Sequence, residues 1–297
     1  MRVLVLGATG MLGSAVLKVL SDDARYEAWG SARDSRKTSL LPVETTKKVI
    51  AGINVLDADS LAFVFRKVKP DAVINCIGLI KQVSDANNPL VALPINSMLP
   101  HRIADLCELS GSRLIHVSTD CVFSGKRGNY SESDISDAGD LYGKSKYIGE
   151  VTERASAVTL RTSIIGHELD SRYALLEWFL AQTGSVKGFS KAIFSGLPTD
   201  EMARVIKDFV LPRPELSGLY HVSSEPISKY DLLELVAEQY GKNIQIIKDD
   251  DVVIDRSLSS DRFYGATGYR APEWKHLIEN MRHFHSTSGA ALHSATL

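Results

Sequence analysis

The stretch Arg2-Val-Leu-Val-Leu6-Gly7-Ala-Thr-Gly10-Met-Leu-Gly13 decides how the rest of the chain is read. Arg2 to Leu6 is a short, nearly continuous apolar run, the pattern of a strand buried on both faces of a parallel sheet. Gly7, Gly10 and Gly13 follow at once, and Ala15, Val16, Val19 and Leu20 then recur at helical spacing. Strand, glycine turn and helix in this order are what a dinucleotide-binding turn requires. Glycine lets the backbone turn sharply and approach a pyrophosphate, whose charge sits at the positive end of the helix. An ordinary tight turn is the competing reading of the glycines taken alone.

Working outward, strand-like and helix-like segments alternate. Strands are expected at 26–29, 49–56, 72–77, 113–117 and 158–160, and helices at 60–68, 89–109 and around Tyr142. Such alternation specifies an α/β fold with a Rossmann-type, doubly wound parallel sheet. Beyond Gly166 the pattern is less regular. Helices are expected at 175–180, 199–210, 228–240 and 272–285, with short strands at 218–222 and 244–247. The division expected is an NAD(P)-binding domain over 1–165 and a smaller C-terminal α/β substrate-binding region over 166–285. That region partly returns to the sheet and covers the edge where ligands bind. The small, polar tail 286–297 is expected to be disordered.

Composition narrows the function classes. The 297 residues are 44% hydrophobic and 24% charged, with a net charge of −2, as in an ordinary soluble globular protein. That balance lacks the basic footprint of a nucleic-acid binder. Cys76, Cys107 and Cys121 are far apart and form no C-x-x-C pair, so neither a zinc site nor a disulfide framework is indicated. No apolar run approaches membrane length and no export signal precedes the first strand, so a cytoplasmic location is expected. His283 and His285 read as the end of a helix rather than a metal site.

Several residues carry chemical meaning. Where an acid would receive a ribose 2′-hydroxyl, the chain has Gly30-Ser31-Ala32-Arg33, with Arg36 and Lys37 beyond. A guanidinium there suits a 2′-phosphate and favours NADPH, with NAD as the alternative; a solvated basic loop is the plain reading. Asp57 either accepts from an adenine amino group or caps the following helix. Gly78, after the fourth strand, allows close approach to a cofactor. Asn96, inside a helix, is read first as a buried amide needing partners. Thr119 closes the strand Leu114-Ile-His-Val-Ser-Thr119, and Tyr142-Gly-Lys-Ser-Lys146 follows. Tyr142 and Lys146 are four apart, hence on one helix face, where an ammonium lowers the pKa of a phenol. Thr119 can hydrogen-bond the substrate oxygen that the phenol protonates.

The order of these features resembles the extended short-chain dehydrogenase/reductase family, and within it the dTDP-4-dehydrorhamnose reductase group. The stretches that carry the resemblance are Gly7 to Gly13, Ser118-Thr-Asp-Cys-Val-Phe-Ser-Gly125, Tyr142-Gly-Lys-Ser-Lys146-Tyr-Ile-Gly-Glu150 and Leu160-Arg-Thr-Ser163. The resemblance implies reduction of the keto group of a nucleotide-linked 4-keto-6-deoxy sugar by NADPH. It gives Thr119 the substrate carbonyl, Tyr142 the proton, and Lys146 the nicotinamide ribose and the tyrosine's pKa. It further implies cofactor contacts from Gly7, Thr9, Gly10, Met11, Leu12, Gly13, Ser31, Arg33, Asp57, Cys76, Ile77, Gly78 and Thr162. Substrate contacts are implied for Lys81, Cys121, Phe123, Phe194 and Thr199, and a homodimer through helices 89–109 and 139–155. Cys121 stands where the group usually has tyrosine, and 81–85 lacks the group's acidic pattern. Asp120 is not followed by Glu, which disfavours dehydration. An NAD-dependent epimerase and a non-catalytic dinucleotide-binding subunit are the alternatives.

Overall fold

A computed structural model describes residues 1–80 and 87–287 of the chain. At its centre lies a seven-stranded sheet. Six strands come in chain order as β1 (Arg2–Leu6), β2 (Glu27–Ser31), β3 (Val49–Ile50), β4 (Ala72–Asn75), β5 (Arg113–Thr119) and β6 (Ala157–Thr162). The remaining strand is the returning segment Gly218–His221. Across the sheet the order is Gly218–His221, β6, β5, β4, β1, β2, β3, and every pairing is parallel. This is the doubly wound arrangement that the alternating pattern specifies. Chain order reverses between β1 and β4, so the crevice at their C-terminal ends is where ligands bind in such sheets.

Alternation along β1 explains the cover on both faces. Val3 and Val5 belong to one hydrophobic cluster and Leu4 and Leu6 to another, all fully buried. Helices Met11–Ser21, Lys229–Tyr240 and Trp274–Thr287 pack into the first cluster, and Ala58–Val68 and Leu99–Ser110 into the second. Val3, Leu160, Leu232 and Leu277 share the first cluster, so residues from 1–165 and 166–285 contribute to one core. Helix Ala58–Val68 shows the local logic. Leu61, Val64, Phe65 and Val68 form its buried face, and Asp57 caps it by accepting from the Asp59 N–H at 3.1 Å. Lys69 then turns left-handed before Pro70 and ends it.

The differences from expectation have local causes. The strand expected at 49–56 is cut to Val49–Ile50, because Gly52 takes a φ of 77° and turns the chain away. The helix expected at 89–109 runs from Pro89 to Ser110, but residues Leu93–Met98 widen into a π-helix. Pro94, within that widening, and Pro100, just beyond it, lack a donor N–H. Helix Asp261–Thr267 has no sequence signature, since Phe263 is its single buried apolar side chain. The last helix reaches Thr287, so Ser286 and Thr287 belong to it and not to the expected tail; 288–297 lie outside the described residues. Among the described residues no helix is long and apolar enough to cross a membrane.

Candidate active site

Gly7 ends β1 with a φ of 81°. A Cβ there would come within 2.9 Å of the Ile77 side chain, and one on Gly13 within 2.1 Å of the Gly7 carbonyl oxygen. The glycines thus bring the β1 turn, the loop after β4 and the first helix into backbone contact. Gly10 caps helix Met11–Ser21 without a side-chain hydrogen bond, which leaves the first-turn amides without a side-chain partner. Thr9 and Met11 are half-buried at the rim. The Leu12 side chain is in the core, so only its backbone is on offer.

Ser31 closes β2, buried, and its carbonyl accepts from the Ala8 N–H at 2.9 Å. Beyond it Arg36 is paired with Asp34 at 2.7 Å and Lys37 with Asp170 at 2.8 Å. Arg33 is exposed and makes no ion pair among the described residues, so it is the free cation of this loop. Asp57 takes the capping role described above. On the far side of the crevice, Asn75 Oδ1 accepts from the Ile77 N–H at 3.1 Å and Asn75 Nδ2 lies 3.1 Å from His116 Nδ1. These bonds shape the turn through Cys76, Ile77 and Gly78. Burial pushes the Cys76 thiol up to about 12, so it is a neutral side chain.

Helix Leu141–Ile148 is begun by Asp140, which accepts from the Gly143 N–H at 2.8 Å. Gly143 and Gly149 then let it press against the turn after Thr119 and against the carbonyl of Asn96. Asn96 Oδ1 accepts from the Leu79 N–H at 2.9 Å and its Nδ2 donates to Ser145 Oγ at 3.1 Å, tying this helix to the loop after β4. The Lys146 ammonium donates to the Val117 carbonyl at 2.9 Å, and a Cβ on Gly78 would stand 3.8 Å from it. Burial pushes Lys146 down to about 8, with Glu150 and Cys76 opposing. Burial pushes the Tyr142 phenol up, Cys121 adds to this, and hydrogen bonding with Thr119 pulls the other way. The Lys146 amine is meanwhile held by the strand backbone. Thr119 Oγ1 accepts from the Cys121 N–H and donates to Asp120 Oδ1, each at 3.1 Å. Thr162 stands beside Thr119 in the register of β5 and β6.

On the substrate side, Cys121 is half-buried next to Thr119, its thiol pushed up to about 12 by burial and by Asp120. Three residues expected at the substrate are buried. Phe123 is fully buried and stacks on Tyr130 at 4.1 Å between centroids. Phe194 is buried in the main core, 5.6 Å from Trp274. Thr199 is buried against Gly166 and lines a cavity of about 50 Å³ with Met11, Ser14, His167 and His285. Lys81 lies outside the described residues. Two cations that sequence reading passed over belong to the site. Arg256 Nε donates to the Phe123 carbonyl at 2.7 Å. Arg256 and Lys229 both act on Asp120, whose carboxyl burial pushes up.

A buried ion pair was also passed over. Glu150 accepts from Ser118 Oγ and from Arg161 Nε and Nη2, all at 2.7 Å. Arg161 Nη1 lies 3.2 Å from His221 Nε2, and His221 Nδ1 is 3.0 Å from the Tyr130 carbonyl. One signal was available: Arg161 is the one charge in the strand Ala-Val-Thr-Leu-Arg-Thr162, and a buried charge demands a partner.

Residues 1–255 match the family model described as RmlD substrate binding domain. The chain is 25% identical over 305 residues to dTDP-4-dehydrorhamnose reductase of Aggregatibacter actinomycetemcomitans, covering 95% of this chain and 98% of that one. It is 29% identical over 253 residues to methionine adenosyltransferase 2 subunit beta of Danio rerio, covering 81% and 74%. Among solved structures, dTDP-4-dehydrorhamnose reductase from Bacillus anthracis in complex with NADP aligns with a TM-score of 0.77 at 19% identity, covering 96% and 99%, a likeness of fold. With the family model spanning most of its length, the chain belongs to the RmlD substrate binding domain family.

Proposed function

We propose that the protein is an NADPH-dependent reductase of the keto group of a nucleotide-linked 4-keto-6-deoxy sugar. The observation that carries this reading is the gathering of Thr119, Tyr142 and Lys146 at the end of β5, beside the glycine turn of β1 and the loop Cys76 to Gly78. A dinucleotide fits the residues present. The glycine contacts, which no Cβ could share, set the β1 turn directly at the start of helix Met11–Ser21, whose positive end suits a pyrophosphate, and Arg33, without an ion pair among the described residues, is a cation for a 2′-phosphate. Gly7, Gly10 and Gly13 would hold the pyrophosphate, Ser31 and Arg33 the 2′-phosphate, and Gly78, Lys146 and Thr162 the nicotinamide end. When bound, the cofactor supplies the hydride.

The chain's own residues supply orientation and the proton. Thr119 Oγ1 orients the substrate carbonyl, and Tyr142 donates the proton to its oxygen. The raised pKa of Tyr142 keeps the phenol in the proton-bearing form near neutral pH. Lys146, cationic below about 8, balances the phenolate left on the same helix face. Arg256 and Lys229 are the cations suited to the diphosphate of the substrate. The identity to a dTDP-4-dehydrorhamnose reductase over nearly the whole chain supports the substrate class.

The test is NADPH oxidation by purified protein given dTDP-4-dehydrorhamnose and related keto-sugars. Tyr142→Phe is expected to lose about 10²- to 10⁴-fold in turnover, as removal of a general acid does. Full activity in that variant sinks the mechanism. Cofactor binding without turnover favours a non-catalytic subunit, and tightly held NAD with an epimerised product favours an epimerase.

A further inference from the structure

We propose that Glu150 is a positioning residue that fastens the helix bearing Tyr142 and Lys146 to the end of β5 and fixes a carboxyl group one turn from Lys146. The proposal rests on the reading of Lys146 given above. Three consecutive residues of β5 hold three groups. The Val117 carbonyl takes the Lys146 ammonium, Ser118 Oγ donates to Glu150 Oε1, and Thr119 carries the reacting hydroxyl. Glu150 follows Gly149 at the helix end, one turn beyond Lys146. Its carboxylate is locked by Arg161, which stands opposite Ser118 on β6. Arg161 in turn stands opposite His221, whose N–H donates to Glu132 at 2.7 Å.

The surroundings of the amine leave this task to Glu150. From the loop after β4 comes Cys76, a thiol that burial keeps protonated. From β5 come the Val117 carbonyl and His116, whose ring burial and Lys146 hold in the neutral form. Among the described residues, Glu150 is then the one carboxyl group acting on the amine. Burial alone strips a proton from an amine, and a nearby carboxylate opposes that. A pair serving only Arg161 would need neither the Ser118 bond nor a place one turn from Lys146.

The full-length protein, labelled with ¹³Cε-lysine, allows the Lys146 resonance to be assigned by Lys146→Met and followed with pH. The wild-type midpoint is expected near about 8. Glu150→Gln is expected to lower the proton affinity of Lys146 about tenfold or more, and Glu150→Asp, which keeps the charge, to stay within about threefold. Ser118→Ala leaves the ion pair intact and is expected to give a shift of about threefold in the same direction. The alkaline limb of NADPH oxidation with dTDP-4-dehydrorhamnose should move with the resonance. An unshifted Lys146 midpoint in folded Glu150→Gln overturns the proposal. Where that variant does not fold, an unshifted midpoint in Ser118→Ala overturns it. Full activity in Tyr142→Phe together with a shifted Lys146 sinks the reductase reading alone; the reverse pair of results sinks the role of Glu150 alone.

Discussion

Gly143 rests against the carbonyl of Cys121, where an added Cβ would stand 2.2 Å from the oxygen. The first turn of the helix bearing Tyr142 therefore packs backbone to backbone on the turn that follows Thr119. Gly143→Ala forces these apart. It is expected to destabilise the protein by about 1–3 kcal/mol in urea unfolding and to remove most turnover, since the two hydroxyls separate. Wild-type stability and kinetics in this variant contradict the packing.

Arg33 is the residue proposed to meet the 2′-phosphate that distinguishes the two cofactors. Removing a charge-assisted contact to phosphate costs about 1.5–3 kcal/mol. Arg33→Ala is therefore expected to raise the Kd for NADPH about ten- to a hundredfold and to leave that for NADH within about twofold. Fluorescence titration of both cofactors measures this. Equal effects on the two place the 2′-phosphate elsewhere.

Acid sensitivity follows from buried histidines. Burial pushes His221 and His285 from 6.5 down to about 4, with Arg161 beside the first and His167 stacked on the second. Burial likewise holds His116 well below the usual range. The unfolded chain binds protons at these rings near pH 6.5, whereas the folded chain does not until about pH 4. Stability is thus fully present above pH 6.5 and falls as pH drops toward 4, by up to about 1.4 kcal/mol per pH unit for the buried His221 ring and by less for the half-buried His285, which water screens. Urea unfolding between about pH 7.5 and 5 reads this slope. His285→Asn is expected to make it shallower, and a flat profile contradicts it.

Asn96 joins the loop after β4 to the helix of Tyr142 through the Leu79 N–H and Ser145 Oγ. Asn96→Ala leaves these partly buried partners unmatched, at a cost of about 1–3 kcal/mol. Reduced stability with a raised KM for NADPH is the expected result. A loss of stability with unchanged cofactor affinity confines Asn96 to a structural role.

What the sequence made legible follows from period and proximity. β1 reads as a buried strand because apolar residues fill both faces of a parallel sheet, and Tyr142 with Lys146 reads from one turn of helix. The burial of Phe123 was not legible because the chain leaves β5 through a 3₁₀ turn at Asp120–Val122, past which alternation no longer tells direction. Its ring turned inward onto Tyr130. Arg256 was invisible because its distance from Thr119 along the chain is bridged only by the fold, through a parallel bridge of Tyr130 with Leu258. The widened turn at Asn96 escaped notice because a π-helix keeps nearly the composition of an α-helix.

The consecutive anchors Val117, Ser118 and Thr119 lie on a central strand, whereas Arg256 arrives beside the short outlying strand Ile254–Asp255, paired with Ala192–Phe194. Under the proposed function, reactivity and ligand choice are thereby built into separable parts of the molecule. Substitutions in the outlying part are then expected to change what is accepted without disturbing the anchors, while a slip of one position in β5 displaces all three groups at once. Such a chain can diversify by inheritance at its margin and stay constant at its centre. That this chain is similar both to a dTDP-4-dehydrorhamnose reductase and to a subunit of a methionine adenosyltransferase agrees with such a division of labour.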